Sequence, residues 1–193
     1  MKNKKWIFSD PDEPCADNLA GALGLTRLTA RVLVARGVST PQEAAAFMEK
    51  SESGIHDPFL LLDMDKAVET VEAALAAGTK IAVYGDYDVD GVTATCILIE
   101  YLESRGADCT YYIPDRLGEG YGLNTAAIAT LHGQGCGLLI TVDSGITAVE
   151  EADYAASIGM EVIITDHHEC KEQLPHAAAV VNPRREGSGY PFR

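Results

Sequence analysis

The apolar positions along the chain change rhythm near residue 80. Before it they recur at helical spacing. Leu25 to Ala35 (LTRLTARVLVA) sets arginines between apolar residues on a helical period, and Gly37 is placed to end that helix. Thr40, Pro41 and Glu43 read as a helix start, with threonine at the cap, proline in the first turn and glutamate at the third helical position. Asp17 is placed to cap an earlier helix, and residues 65–77 read as an alanine-rich amphipathic helix ended by Gly78. Residues 51–58 read as a loop, with His56 a loop residue beside Asp57-Pro58. No catalytic cluster appears in residues 1–79, which are expected to form a small helical region with a structural or docking role.

From residue 80 short β-prone runs alternate with helical stretches. Strands are predicted at 81–84, 109–113, 137–142, 161–165 and 178–181, and helices at 92–105, 125–132 (Asn124 as cap) and 147–158. Strand–helix alternation with short connections predicts an α/β fold, a parallel β-sheet covered by helices on both faces. Ligands of such sheets sit at the carboxyl ends of the strands. Three of the predicted strands end in groups able to hold a metal: Asp86, Asp88 and Asp90 in GDYDVDG, Asp143 in DSG, and Asp166-His167-His168. One sheet brings those ends to one rim.

Carboxylates crowded this closely repel one another and are best tolerated around cations, so a divalent-metal site is expected there. Alone, Asp143 would serve as a helix cap as readily as a ligand. Beside Asp88 and Asp90, its two oxygens suit it to bridge two ions. Adjacent residues of an extended chain point to opposite sides. One imidazole of the His167-His168 pair is therefore expected on a metal and its neighbour on substrate phosphate, with Asp166 holding a ring N–H. Two other readings of the aspartate turn fail. A calcium-binding EF-hand loop needs glutamate at its twelfth position, here Ile97, and a helix before it, where a strand is predicted. A phosphotransferase with Asp86 as nucleophile and Asp88 as acid/base, resembling the haloacid-dehalogenase pattern, leaves Asp166-His167-His168 without a task. Arg116 suits a phosphate, or else pairs with Asp115 at the surface; Tyr121 stacks on a base or simply packs.

Composition sharpens the reading. With 193 residues and 47% hydrophobic content the chain can bury a real core. The five cysteines are odd in number and contain no CxxC, which argues for reduced thiols in a cytoplasm and against a disulfide framework or a zinc knuckle. No apolar run reaches membrane-spanning length, and MKNKKWIFSD lacks the apolar stretch of a signal peptide. A net charge of −14 speaks against non-specific nucleic-acid binding. The excess is −10 over residues 80–193 (7 Lys+Arg, 17 Asp+Glu) and −4 before them, so the acidic half holds the aspartate cluster.

The segments VYGDYDVDGVTAT, YYIPDRLGEGYGLN, LLITVDSGI, VIITDHHE and VVNP, in that order, resemble the DHH phosphoesterase family. Within it they are most similar to exonucleases that degrade single-stranded DNA from the 5′ end. RGVSTPQEAAAFM and HDPFLLLDMDKAV extend the likeness over nearly the whole chain. The resemblance implies an α/β DHH-type domain over residues 80–193 and a two-metal site for Mn²⁺ or Mg²⁺ held by Asp88, Asp90, Asp143 and His167. It further implies His168 as a phosphate contact working with Asp166 and Asp86, the last as ligand or as shaper of the loop. Arg116, Tyr121 and Ser144 are the expected substrate contacts. Single-stranded DNA is the expected partner, in repair and recombination, with repair or replication proteins as further partners and no membrane. Members carry another metal-binding aspartate downstream and an associated domain. This chain stops at Tyr190-Pro191-Phe192-Arg193, before either, so an incomplete metal site and weak DNA binding are expected. Other members act on short oligonucleotides, cyclic dinucleotides or pyrophosphate. A non-catalytic scaffold is a further alternative, against which the carboxylates speak, since a scaffold needs no repelling cluster.

Overall fold

A computed structural model of the chain describes residues 9–49, 55–120 and 122–191, so residues 51–54 of the predicted 51–58 loop, Tyr121 and the last two residues lie outside the described residues. The chain divides into two compact units, Met1–Ile55 and His56–Arg193.

The first unit contains α1 (Glu13–Leu23), α2 (Arg27–Ala35) and α3 (Pro41–Met48). Asp12, not Asp17, caps α1, its carboxylate accepting from the backbone N–H of Cys15 at 3.2 Å. The helix starts earlier than expected because Pro14 fits its first turn, and Asp17, inside the helix, pairs instead with Arg27 at 3.2 Å. Thr26 caps α2, and α3 opens with the full capping box of Thr40 and Glu43. Ala16, Leu19, Ala30, Leu33 and Ala44 form the core; with so many alanines in it, the helices pack close together.

The second unit follows a short 3-10 turn, Pro58–Leu60. It comprises α4 (Met64–Ala77), β1 (Lys80–Tyr84), α5 (Val89–Ser104), β2 (Cys109–Tyr112), α6 (Thr125–Gly133), β3 (Cys136–Val142), α7 (Val149–Ser157), β4 (Glu161–Thr165) and β5 (Ala179–Val181). All strand pairs are parallel, in the order β2-β1-β3-β4-β5. Val83 lies beside Tyr111 and Ile140, and Ile140 beside Ile163, so β-branched side chains stack across the middle of the sheet. Alternation sends Ile81, Val83, Ile140 and Ile163 to the face covered by α4 and α5. Ala82, Tyr84, Leu139 and Ile164 go to the face covered by α6 and α7.

From β1 the chain first steps outward to β2 and then returns to β3 on the other side of β1. The carboxyl ends of β1 and β3 thus flank a topological switch point, where loops diverge and leave a crevice. The sequence reading puts a boundary between residues 79 and 80; the compact unit begins earlier, at His56, because α4 packs Ala67, Val71, Ala74 and Leu75 against the sheet.

Candidate active site

The aspartate turn after β1 is built on close approach. A Cβ on Gly91 would lie 2.5 Å from the backbone N and O of Asp86, and one on Gly85 would lie 2.1 Å from Thr95 Oγ1. Only glycine lets the first turn of α5 press onto the strand end. Helix α5 begins at Val89, three residues ahead of the predicted Val92, because Asp88 caps it: its Oδ1 accepts from the backbone N–H of Asp90 and Gly91, both at 3.0 Å. Asp90 falls in the first helical turn, where the helix dipole favours negative charge. Asp86 lies beneath, 1% exposed, and its Oδ1 is buried without a hydrogen-bond partner among the described residues.

At the end of β3, Asp143 adopts a left-handed backbone (φ 58°), uncommon outside glycine. Thr141 Oγ1 donates to the Ser144 carbonyl at 2.7 Å and Thr165 Oγ1 donates to the Thr141 carbonyl at 2.6 Å, which ties the ends of β3 and β4. Ser144, expected to touch substrate, is buried with its hydroxyl donating to the Val142 carbonyl at 3.3 Å. In this structure the hydroxyl faces the turn.

After β4, Asp166 is a buried hub. Its Oδ2 accepts from the Ile146 N–H at 2.9 Å. Its Oδ1 accepts from the backbone N–H of His167 (2.7 Å) and His168 (3.0 Å) and from the His168 ring Nδ1–H (2.7 Å). The carboxylate therefore orients His168 while joining two strand-end turns. Asn182, fully buried after β5, donates to the His168 carbonyl at 3.0 Å. Its place in the VVNP segment was the available signal, but residue type alone does not reveal a backbone clamp.

The strand ends converge. His167 Nε2 lies 2.9 Å from Asp143 Oδ1. Donor atoms of Asp143, His167 and His168 all lie within 4.8 Å of one another, close enough for one metal ion. The expectation that the two imidazoles point to opposite sides is thereby corrected: their ring centroids are 4.6 Å apart. The reason is local, for β4 ends at Thr165 and the histidines lie in the turn gathered around Asp166, where extended-chain alternation no longer applies. Asp90, Asp143 and His167 line one cleft of about 490 Å³, and Asp166 and His168 line another of about 480 Å³.

Charge coupling follows this geometry. Burial, then the Asp88 charge, hold the Asp143 carboxyl above the ordinary carboxylate range, against the opposing hydrogen bond from His167. Asp88 is held below that range by the Gly91 N–H first, then by the Asp90 N–H and a hydrogen bond with Asp143. Repulsion from the neighbouring Asp88 charge thus adds to burial in disfavouring the ionised form of Asp143. Burial pulls His168 down, but its hydrogen bond to Asp166 and the charges of Asp166, Asp143 and Asp88 outweigh it, so the ring protonates more readily than free histidine.

The loop after β2 hangs on Glu119. It accepts from Tyr112 OH (2.5 Å), from the Asp115 N–H (2.8 Å) and from Asn124 Nδ2 (3.3 Å). The hydrogen bond to Glu119 pushes the Tyr112 hydroxyl up to about 12, so it stays a donor. Tyr84 stacks on Tyr112 with centroids 5.2 Å apart and donates to the Gly122 carbonyl at 3.0 Å. The partners of Glu119 all lie within seven residues of it, but a lone loop glutamate in the sequence does not show that its carboxylate turns inward to gather them. Asp115 turns its carboxylate to the N–H groups of Leu117 and Gly118, both at 2.8 Å, and the exposed Arg116 guanidinium lies over the Tyr87 ring, 5.2 Å from its centroid. Tyr121 lies outside the described residues.

The chain is 41% identical over 189 residues to the single-stranded-DNA-specific exonuclease RecJ of Bacillus subtilis (strain 168), covering 98% of this chain and 24% of that protein. It is 36% identical to RecJ of Escherichia coli (strain K12), covering 88% of this chain and 29% of that one. The chain thus spans about a quarter of the length of these curated relatives. Among solved structures, exonuclease RecJ bound to manganese superposes with a TM-score of 0.63 at 38% identity, over 69% of this chain and 34% of that one. RecJ from Thermus thermophilus in complex with Mn²⁺ gives 0.62 at 29% identity, over 91% of this chain and 24% of that one. Residues 80–189 match the DHH family, N-terminal domain, and on that match the chain belongs to the DHH family.

Proposed function

We propose that this chain carries the metal-binding core of a phosphodiesterase that hydrolyses single-stranded DNA from the 5′ end. The observation that supports it most directly is the meeting of Asp143, His167 and His168 within 4.8 Å, with Asp88 in hydrogen-bonding reach of Asp143. The residues fit divalent ions such as Mn²⁺ or Mg²⁺. Oxygen and imidazole donors suit these metals, the Asp88 charge raises the cost of ionising Asp143 beside it, and Asp86 leaves a buried oxygen unpaired among the described residues. Asp88, Asp90, Asp143 and His167 would hold the ions, which when bound lower the pKa of a coordinated water and stabilise charge on phosphate oxygens.

The chain's own groups prepare the rest. Asp166 accepts from the His168 Nδ1–H and so orients the ring, a step toward its meeting a phosphate oxygen. Cations among the carboxylates also relieve the conflict between a chain of net charge −14 and an anionic substrate. RecJ relatives act on single-stranded DNA by name, which favours that polymer over other phosphodiesters.

Calorimetry with Mn²⁺ on this chain tests the reading. Saturable uptake, lost in Asp143→Ala, is expected. No uptake, or uptake unchanged by the substitution, overturns it and favours a non-catalytic scaffold.

A further inference from the structure

Arg116 sits in a loop far along the chain from the aspartate turn, yet its guanidinium rests 5.2 Å from the centroid of Tyr87, between Asp86 and Asp88. That distance is within cation–π range. The backbone on both sides of Arg116 is also fixed. Asp115 donates its N–H to Glu119 at 2.8 Å, and Leu117 and Gly118 donate theirs to Asp115 Oδ1 at 2.8 Å. An exposed arginine ordinarily samples many rotamers, which costs binding energy when a ligand orders it. Here the backbone is pinned by carboxylates and the side chain is held by a ring face. The half-buried Tyr87 belongs to the same turn as Asp88 and Asp90, so one short segment presents acids to cations and a ring to a guanidinium.

We infer that Tyr87 is a positioning residue: its ring face holds the Arg116 guanidinium beside the carboxylate cluster, ready to meet a phosphate of the single strand. The inference rests on the proposed function, because it needs a phosphodiester chain at the cluster. Tyr87 does not itself touch the reacting atoms. It sets where a permanent positive charge stands on an otherwise acidic rim.

The test is a double-mutant cycle read by binding, with a fluorescent oligothymidylate, Mn²⁺ and this chain. Arg116→Ala should weaken binding and reduce its salt slope by about one, as expected for one lost phosphate contact. Tyr87→Leu should weaken binding roughly two- to fivefold, the scale of an exposed cation–π contact. Tyr87→Phe should restore it, and Tyr87→Leu should add nothing in the Arg116→Ala background. The Arg116 Nε–H proton resonance should shift downfield in Tyr87→Leu as the ring current is lost, while Mn²⁺ uptake stays intact. Additive effects of the two substitutions, or an unmoved Arg116 resonance, overturn the positioning role while leaving the proposed function standing. If the parent chain takes up no Mn²⁺ and binds no single strand, the proposed function falls and the inference falls with it.

Discussion

Gly91 stands where the first turn of α5 meets the end of β1, and the atoms facing it are the backbone N, O and Cα of Asp86 at 2.5 to 2.7 Å. Backbone cannot swing aside as a side-chain end can. Gly91→Ala is therefore expected to cost about 1–3 kcal/mol of stability. It should also weaken Mn²⁺ uptake, because the shift displaces the Asp88 cap and Asp90 together. Gly118→Ala is the control, since a Cβ there meets only Asp115 Oδ1 at an ordinary 3.5 Å. Thermal melts and calorimetry of the two variants check this; equal behaviour would sink it. At this scale the sequence is informative but incomplete. GDYDVDG announces a turn of acids bounded by glycines; of these, Asp88 reaches hydrogen-bonding distance of Asp143, and Asp90 shares a cleft with Asp143 and His167, while Asp86 stays buried beneath. The side on which His168 falls is not legible, because it depends on Asp166 gathering two backbone N–H groups and a ring nitrogen around one oxygen.

Between elements, a long-range polar link joins the start of α4 to the edge strand β5. Asp63 has a left-handed backbone (φ 61°), and its carboxylate accepts from Lys66 Nζ at 2.7 Å and from Arg185 Nη1 at 2.6 Å. Arg185 also donates to the Val180 carbonyl, so the pair closes on the backbone of β5. Burial pushes Asp63 up, but the hydrogen bonds from Lys66 and Arg185 outweigh it and hold the carboxyl below its ordinary range. A depressed carboxyl contributes stability above the unfolded-state pKa and loses it as pH falls through the folded one. Asp63→Asn keeps a residue tolerant of positive φ while removing the charge. It is expected to cost about 1–3 kcal/mol at pH 7, and the gap from the parent should close as pH drops below about 3.9. Melting temperatures across that range decide the matter, and a pH-independent gap would refute it. Local partners are readable in the sequence and remote ones are not. Thr40 and Glu43 announce their capping box three residues apart, whereas Asp63 and Arg185 lie 122 residues apart and neither names the other.

For the whole molecule, the change of rhythm near residue 80 locates the strand–helix alternation but not the full extent of the folded unit. An alanine-rich helix looks the same in sequence whether it packs among helices or on a sheet. Helix α4 packs on the sheet, its Ala67, Val71, Ala74 and Leu75 sharing a core with Ile140, Ile163 and Val181. A chain beginning at residue 56 keeps that layer. One beginning at residue 80, where the family match starts, lays that part of the sheet face open to water. Exposing so many branched side chains forfeits about 25 cal/mol for each Å² of apolar surface, and a flat apolar sheet face invites association. The 56–193 chain is thus expected to melt cooperatively and remain monomeric. The 80–193 chain should bind an apolar dye and aggregate at the same concentration. If it instead melts at the same temperature as the longer chain, α4 is dispensable and the unit does begin where the strands do.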